Sequence, residues 1–354
     1  MTPDSSAPGS SSADRSADVA ADLFIPVRAE PPAQLAQAIR TARSLARAEG
    51  VSVHIVCGKD DPVTLGHLTE QLRHIEGVQL CEVPSCAPKA RAMNEVVRQS
   101  RARWVGFLDV DVAMSADVLR RTLSEADLDQ LDYLEFVELS TGTGTVPRLL
   151  NIQSVLFQMA NAYLADRLGS RYFASSGLLL RRSFLDRVGP WPEDGCEEGY
   201  RWSLAAAGVP QRGRTSTVPV QGRPAANLNQ ALRQRRRWYQ GQLRAAVDCL
   251  RPGYPVRGRI LGLAGAASIL AQAGWVVSLG LSPVSRRARR TFTALSLLET
   301  TRLLMAAPSL RSASDQRPRD IGAFLAFEIV EGLAVLSAVL PTSQQFGWRP
   351  TVRG

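Results

Sequence analysis

The stretch RWVGFLDVDVAM, residues 103–114, decides the fold that this sequence predicts. Its apolar run WVGF is typical of a buried strand, and two carboxylates, Asp109 and Asp111, follow that run. In residues 22–102, three segments typical of strands alternate with three segments typical of helices. Strands that alternate with helices indicate a mainly parallel sheet with right-handed crossovers. The sequence therefore predicts an α/β fold in which residues 103–114 form the fourth strand.

The other predicted elements follow from the same patterns of apolar spacing. A strand and then a loop are predicted within 22–30, strands at 51–58, 78–84 and 131–140, and a strand and then a helix within 172–192. Helices are predicted at 32–50, 62–77, 87–102, 147–169, 196–208 and 227–250. Gly50 is interpreted as the residue that caps the first helix, because glycine is typical of that position.

Five carboxylates lie at the ends of the predicted strands or just beyond them: Glu30, Asp60, Asp61, Asp109 and Asp111. In sheets of this kind, ligands bind beyond the carboxyl ends of the strands. Residues i and i+2 of an extended segment point the same way. One of Asp109 and Asp111 can therefore reach a divalent ion while the other holds a ribose hydroxyl or a metal-bound water. Mg²⁺ and Mn²⁺ are often held by one or two carboxylates together with substrate phosphates.

Two other interpretations of Asp109 and Asp111 remain open from the residues alone. They are a chance pair of turn aspartates, or they belong to a phosphatase of the DxDx[TV] type in which Asp109 attacks phosphate. The phosphatase site needs a downstream lysine that binds the phosphate. Lys59 and Lys89 are the only lysines, and both precede the motif, which counts against this interpretation.

The composition limits the classes of protein to which this chain can belong. A net charge of +9 favours anionic partners, such as nucleotides, phospholipid surfaces or nucleic acid, without choosing among them. No GxGxxG follows the first strand and no GxxxxGK[ST] occurs, which disfavours a dinucleotide-binding domain and a P-loop. The five cysteines include no CxxC pair, so we expect free thiols in a reducing compartment rather than a zinc ribbon or a disulfide framework.

Three further segments carry candidate residues. CEEGYRW places Glu197 and Glu198 near the start of a predicted helix, where a carboxylate either acts as a general base or only stabilises the first helical turn. APKARAMN offers Lys89 to a diphosphate, or is only an amphipathic helix. QRRRW, residues 234–238, is a solvated basic face, a nucleic-acid or lipid-headgroup patch, or a site for an anionic and sugar-like ligand.

Taken in order over residues 22–245, these motifs resemble the membrane-associated branch of the family-2 glycosyltransferases, which have the GT-A fold. IPVRAE resembles the opening strand and Asn-Glu loop of that family, PKARAMN its Gly-Lys-Ala-x-Ala-Leu-Asn helix, and FLDVDV its metal-binding DxD strand. RRSFLDRVGPWPE resembles the segment that ends in Gly-Gly-Trp, and CEEGYRW lies where the family has a Glu-Asp pair. QRRRW matches the Gln-x-x-Arg-Trp signature.

The resemblance implies an enzyme of hexosyl- or N-acetylhexosaminyl-transferase type. It would transfer a sugar, with inversion, from a nucleotide-diphosphate sugar to a hydroxyl of a glycan, a lipid-linked compound or a natural product. A UDP-sugar is the donor that the family favours. A divalent metal, Mn²⁺ or Mg²⁺, would be bound mainly by Asp111, with Asp109 as a second metal contact or a donor contact.

The other roles carry over by position. Glu30 and Asp60 or Asp61 correspond to nucleoside contacts, Lys89 to a diphosphate contact, and Glu198 or Glu197 to the general base. Gln234 and Arg237 would meet the diphosphate and the acceptor, and Trp238 would stack against an acceptor sugar. Arg235 and Arg236 are interpreted as part of a basic face.

The domain organisation is predicted from composition. We expect a disordered tail over residues 1–20, a glycosyltransferase domain over 21–245 and a membrane-associated helical region over 246–354. Residues 260–281 carry no charge and are long enough to span a bilayer. Residues 321–340 include Glu328 and Glu331, which we expect to face protein or water.

The expected location of the protein in the cell follows from these features. We expect a cytoplasmic catalytic domain at the inner face of a bacterial-type cell membrane, with no specific nucleic-acid partner. The alternative function is a non-catalytic basic binding protein on the same fold, facing a membrane or nucleic acid.

Overall fold

The computed structural model describes residues 21–141, 144–174, 176–193, 197–216, 218–223, 227–313 and 318–339. Within these ranges the chain forms a seven-stranded sheet with helices on both faces, a two-stranded sheet, and a group of long C-terminal helices. The tail predicted over residues 1–20 lies outside the described residues.

The strands are β1 (Ala21–Val27), β2 (Val51–Gly58), β3 (Val78–Val83), β4 (Trp104–Phe107), β5 (Tyr133–Glu135), β6 (Glu138–Ser140), β7 (Leu178–Arg181), β8 (Gly213–Thr215) and β9 (Val220–Gly222). The large sheet has the order β3-β2-β1-β4-β7-β5-β8, and β6 pairs with β9. Neighbours in the large sheet are parallel except at β7, which is antiparallel to β4 and to β5. The predicted α/β fold with a mainly parallel sheet is confirmed.

Two predicted strands are wrong in extent. β4 ends at Phe107, because the N–H of Val112 donates to the carbonyl of Asp109 at 3.0 Å and closes a turn there. Asp109 and Asp111 therefore lie in a loop beyond the strand. The segment 131–140 is divided between β5 and β6, because β5 pairs within the large sheet while β6 pairs with β9.

The helices are α1 (Pro32–Leu45), α2 (Pro62–Leu72), α3 (Lys89–Gln99), α4 (Ala116–Leu128), α5 (Thr145–Leu168), α6 (Arg182–Val188), α7 (Glu198–Ala206), α8 (Leu228–Asp248), α9 (Val256–Leu281), α10 (Arg286–Ala313) and α11 (Pro318–Val339). α4 is not among the predicted helices. The predicted cap at Gly50 is wrong, because α1 already ends at Leu45. Gly50 has a φ of 71°, and its carbonyl accepts a hydrogen bond from Ala21 at 3.1 Å, so it leads the chain into β2.

Buried apolar side chains cover both faces of the large sheet. Leu23 and Trp104 belong to a cluster with α1, α2 and α4 on one face. Phe24 and Phe107 belong to a cluster with α3, α6 and α7 on the other face. Side chains alternate along a strand, so a strand that is buried on both faces is apolar throughout. This is why WVGF is a continuous apolar run.

The C-terminal helices pack against the sheet domain and against one another. Among the described residues, α9 is the one helix that is long and apolar enough to cross a membrane, with a mean hydropathy of 1.7 in its most apolar window. Glu328 and Glu331 of α11 face protein, since Gln272 of α9 donates to Glu328 at 2.7 Å and Glu331 is bound by α5 and α8. The boundary predicted after residue 245 lies within α8.

Two glycines of α9 test how tightly that helix packs on α7. A Cβ at Gly258 would lie 2.0 Å from the carbonyl oxygen of Leu204 in α7, whereas a Cβ at Gly274 would meet nothing within 4 Å. Backbone cannot move aside as a flexible side chain can, so we expect Gly258→Ala to lower the free energy of unfolding by about 1–3 kcal/mol. The matched variant Gly274→Ala should raise it by up to about 1 kcal/mol, because alanine favours helix.

The measurement is thermal unfolding of the two full-length variants beside the unsubstituted protein, under one set of solution conditions. Equal stability of Gly258→Ala and Gly274→Ala would contradict close packing of α9 on α7.

Candidate active site

The loop that follows β4 carries the two aspartates of the LDVDV motif. The N–H of Asp109 donates to the hydroxyl of Ser176 at 2.9 Å, and its Oδ1 lies 2.5 Å from the Nζ of Lys89. Asp111 is buried, with 2% of its surface exposed. Ala113, at the end of the loop, exchanges backbone hydrogen bonds of 2.7 and 3.1 Å with Gln221 of β9. The loop is therefore held on both sides, and its carboxylates are fixed relative to β9.

Lys89 is the first residue of α3 and is the cation at the centre of this site. Burial lowers its pKa, but the carboxylates of Asp109, Glu198 and Glu138 outweigh burial and raise the pKa above its usual value. Lys89 therefore stays charged. It precedes the LDVDV motif in sequence and still contacts Asp109, so sequence order alone does not rule out a lysine beside this aspartate.

Glu138 is a site residue that the sequence analysis missed. It lies on β6, and a Cβ at Gly222 of β9 would come within 2.0 Å of its Oε1, so its side chain crosses the backbone of β9. Burial, and then the neighbouring Asp109, raise the pKa of Glu138 to about 7 against the opposing effect of Lys89 and Arg235. The only sequence signal was an acidic residue within the apolar run FVEL.

Glu197 and Glu198 lie at the start of α7, as predicted. Glu197 caps the helix with a left-handed backbone, φ 67° and ψ 50°, a conformation that costs a non-glycine residue free energy and is concentrated at functional sites. Burial, and then the Glu198 carboxylate, raise the pKa of Glu197 to about 8, although Arg237, Lys89 and Arg235 act in the opposite direction. The structure therefore brings both glutamates within electrostatic reach of Lys89.

Two packing contacts set the position of α7. Trp202 is fully buried and stacks on Trp191 at a centroid distance of 4.9 Å. Asn94 of α3 holds the backbone of Trp191 through hydrogen bonds of 2.8 and 2.9 Å. The asparagine of PKARAMN thus has a structural role, since it holds the chain that leads to Glu197.

The carboxylates after β1 and β2 form a second group. Both oxygens of Asp61 hold the loops in place, with Oδ1 accepting from the N–H of Thr64 at 3.2 Å and Oδ2 from that of Ala29 at 2.7 Å. Burial opposes ionisation of Asp61, but these bonds and Arg28 lower its pKa. Glu30 lies half-buried in the loop after β1.

Asp60 belongs to the same group and is held by Ser85 and Arg28. Its Oδ2 accepts a hydrogen bond from Ser85 at 2.7 Å and lies 3.8 Å from the guanidinium of Arg28. A Cβ at Gly58 would come 2.2 Å from Oδ1 of Asp60. Because Gly58 has no Cβ, the carboxylate of Asp60 can fold back to the end of β2.

The QRRRW segment lies on α8, and its arginines differ in their surroundings. Arg235 is buried and pairs with Glu331 at 2.7 Å, so the interpretation of Arg235 as part of a basic face is wrong. Its guanidinium lies 4.3 Å from the centroid of Trp238. Arg237 is half-buried and acts on the pKa of Glu197, which places it beside the predicted base. Gln234 is half-buried one residue before Arg235.

The carboxylates of Asp109 and Asp111 are the candidate ligands for a divalent metal. Within the described residues, no three His, Cys, Asp or Glu side chains come together as a metal cluster. Asp109 and Asp111 share one loop, and the Asp109 carboxylate raises the pKa of Glu138, as expected where negative charges crowd. This set fits an ion that takes one or two carboxylates and fills its other positions with phosphate oxygens and water.

The fold has solved relatives. The structure is similar to the mannosyltransferase PcManGT from Pyrobaculum calidifontis in complex with GDP-Man and Mn²⁺, with a TM-score of 0.57 and 14% sequence identity over 90% of this chain and 85% of that chain. It also matches S. aureus TarS 1-349, with a TM-score of 0.47 and 14% identity over 90% of each chain. No family model and no curated protein matches the sequence. The likeness to the mannosyltransferase shows the fold, which is of the GT-A type.

The raised pKa of Glu197 makes stability depend on pH. Its pKa is about 8 in the folded protein against 4.5 for an ordinary glutamate. The folded state therefore binds this proton more tightly than the unfolded state, so stability falls as pH rises through the window between these values. We expect Glu197→Gln, which cannot ionise, to lose less thermal stability than the unsubstituted protein across that window.

Unfolding temperatures measured along a pH series check this expectation. Glu76→Gln, at an exposed position, is the control and should follow the unsubstituted protein. A Glu197→Gln curve parallel to that of the control would show that Glu197 is not protonated in the folded state at neutral pH.

Proposed function

We propose that this chain transfers a sugar, with inversion, from a nucleotide-diphosphate sugar to a hydroxyl acceptor. The observation that carries the proposal is the ion pair of Lys89 with Asp109 beside the Glu197–Glu198 pair, on a GT-A-type fold. The reaction needs positive charge for a diphosphate leaving group and a carboxylate for the acceptor proton. Lys89 would supply the first, and the glutamate pair would supply the second. The fold also argues against the phosphatase interpretation of Asp109.

The donor would lie across the carboxyl ends of β1, β2 and β4. Asp60, with Glu30 in the neighbouring loop, would contact the nucleoside, because both oxygens of Asp61, the other candidate, already accept backbone hydrogen bonds. Lys89 and Arg237 would contact the diphosphate. Asp111 and Asp109 would hold a divalent metal, which would supply positive charge to the diphosphate when bound.

The reaction would proceed in one displacement. The acceptor oxygen forms a bond to the anomeric carbon while the bond from that carbon to the diphosphate breaks on the opposite face. The positive charges of Lys89 and Arg237 stabilise the negative charge that develops on the departing diphosphate. The acceptor proton passes to a carboxylate at the start of α7.

Of the two glutamates, Glu198 is the proposed base. Glu197 has a pKa of about 8, so at neutral pH it mostly holds a proton and cannot accept another. Protonated Glu197 is instead suited to donate a hydrogen bond within the site. The carboxylate of Glu198 raises the pKa of Lys89 against the effect of burial, which supports a position for Glu198 near the proposed diphosphate.

The features of α8 and α9 support a proposal for the acceptor and for the location of the enzyme. Gln234 and Trp238 would form the acceptor wall, with Trp238 stacked on a sugar ring of a glycan or lipid-linked acceptor. α9 has the length and composition of a membrane span, so we propose that the catalytic domain works at the inner face of the cell membrane. UDP- and GDP-sugars are the donors to test first.

A panel of nucleotide sugars, each with Mn²⁺ and with a chelator, tests the donor and the metal together. Ligands that bind the native state raise the unfolding temperature, so we expect one donor to stabilise the protein more with Mn²⁺ than with chelator. For Asp111→Asn we expect the donor to stabilise the protein equally with Mn²⁺ and with chelator. Without ligand, this variant should unfold at the same temperature as the unsubstituted protein. No stabilisation by any donor, together with salt-sensitive binding to anionic liposomes or DNA, would favour the non-catalytic alternative.

Turnover of the donor so identified tests the base. We expect Glu198→Gln to lower kcat by about 10²–10⁴, the usual contribution of a general base, while donor affinity stays unchanged. Glu197→Gln should retain more activity, because it still offers a neutral hydrogen-bonding group. The reverse order of the two variants would make Glu197 the base.

A further inference from the structure

A polar cluster joins the QRRRW segment to the last helix of the chain. The cluster consists of Arg235 and Tyr239 of α8, Gln153 of α5 and Glu331 of α11. Arg235 donates from Nε to Oε1 of Glu331 at 2.7 Å and from Nη2 to the side-chain oxygen of Gln153. Three helices that are far apart in sequence thus meet at one guanidinium.

Glu331 is the acceptor at the centre of this cluster. Only 1% of its side chain is exposed, against 9% for that of Arg235. Its Oε2 accepts hydrogen bonds from the hydroxyl of Tyr239 at 2.9 Å and from the amide of Gln153. A buried carboxylate is tolerated only when it is paired and hydrogen-bonded, and Glu331 meets both conditions.

The cluster reaches the proposed site through Arg235. The guanidinium carbon of Arg235 lies 4.3 Å from the ring centroid of Trp238, which is within the range of a cation–π contact. Arg235 therefore covers one face of the indole and leaves only the opposite face to meet a sugar ring. Burial raises the pKa of Glu197 and of Glu138, and the same guanidinium acts against that rise at both residues, so its charge acts on two carboxylates of the site.

We propose that Glu331 is a positioning residue: it fixes the guanidinium of Arg235, and Arg235 holds the ring of Trp238 in the orientation that the acceptor meets. This inference rests on the proposed function for the role of Trp238 and goes beyond it, because it makes the last helix part of the acceptor wall. Apolar side chains could fill the same space without desolvating two charges. The planar guanidinium instead gives a fixed geometry for both its hydrogen bonds and its stack.

The experiment measures the exposure of Trp238 in the full-length protein by hydroxyl-radical footprinting, with oxidation at each tryptophan read by mass spectrometry. Glu331→Gln removes the charge that holds Arg235, so we expect oxidation of Trp238 to rise several-fold. Oxidation of the fully buried Trp104 and Trp202 should not change. Glu328→Gln is the matched control, since Glu328 is a buried acid on the same helix whose carboxylate accepts a hydrogen bond from Gln272 of α9.

A double variant tests whether the charge itself matters. Gln153 and Glu331 both contact Arg235 and also contact each other, so Gln153→Glu combined with Glu331→Gln returns one carboxylate to the cluster. We expect this variant to bring oxidation of Trp238 back to that of the unsubstituted protein. If Glu331→Gln does not fold, Arg235→Lys keeps the charge, removes the planar stack, and should raise oxidation of Trp238 in the same way.

Two results would overturn the proposal. The first is unchanged oxidation of Trp238 in Glu331→Gln or, where that variant does not fold, in Arg235→Lys. The second is an equal rise in Glu328→Gln, or a rise that also affects Trp104 and Trp202, because either would indicate general loosening of the helices.

Kinetics with the donor and acceptor found for the unsubstituted protein gives an independent measure. We expect Glu331→Gln to raise the KM for the acceptor about fivefold, the size of one cation–π contact, and to leave the KM for the donor unchanged. If the unsubstituted protein turns over no donor, the proposed function fails, while the footprint still decides whether Glu331 positions Trp238.

Discussion

The pairing of β1 with β4 is the constraint on which the site depends. β1 runs between β2 and β4, and the chain reaches β4 only after it has formed β2 and β3 on the other side. The loops that leave β1 and β4 therefore diverge at the point where the strand order reverses, and a crevice opens between them. Glu30 follows β1 and Asp109 follows β4, so this one topological feature places the nucleoside side and the metal side of the proposed site next to each other.

Electrostatic balance keeps the site together. Lys89 is surrounded by Asp109, Glu138 and Glu198, while Arg237 and Arg235 act on Glu197. These opposite charges offset part of the cost of burial. Burial, and then a neighbouring carboxylate, still raise the pKa values of Glu138 and Glu197. Under the proposed function, Lys89 and Arg237 would meet a phosphate group while Glu197 retains a proton.

The C-terminal helices are more than an appended tail. α9 contacts α7 so closely that glycine is required at residue 258, and α11 binds Arg235 through Glu331. The domain boundary predicted after residue 245 separates these helices from the sheet domain. Composition suggested the separation, because the helices are apolar. The contacts join the two parts, because polar groups buried between apolar helices have to find partners, and those partners lie on α5 and α8.

The sequence by itself determined the alternation of strands and helices, the mainly parallel sheet and the positions of most candidate residues relative to strand and helix ends. These features depend on local periodicity, which residues a few positions apart already show. It also identified the glutamates of α7, since a helix start is a local signal. The split of residues 131–140 could not be predicted, because β6 pairs with β9, which is distant in sequence. The end of β4 at Phe107 was missed because the alternating run LDVDV continues the pattern of a strand, although the backbone of Val112 closes a turn there.

Only the tertiary structure decided which charges meet. Glu138 was missed, Arg235 was assigned to a basic face, and Lys89 was expected to meet a diphosphate without its contact to Asp109 being predicted. In each case the deciding contact joins elements far apart in the chain: Lys89 with Asp109, Glu138 with β9, and Arg235 with Glu331. Local pattern reports which face of an element is apolar. It carries no information on which buried charge will neutralise another, because that is settled by the free energy of burying both groups together.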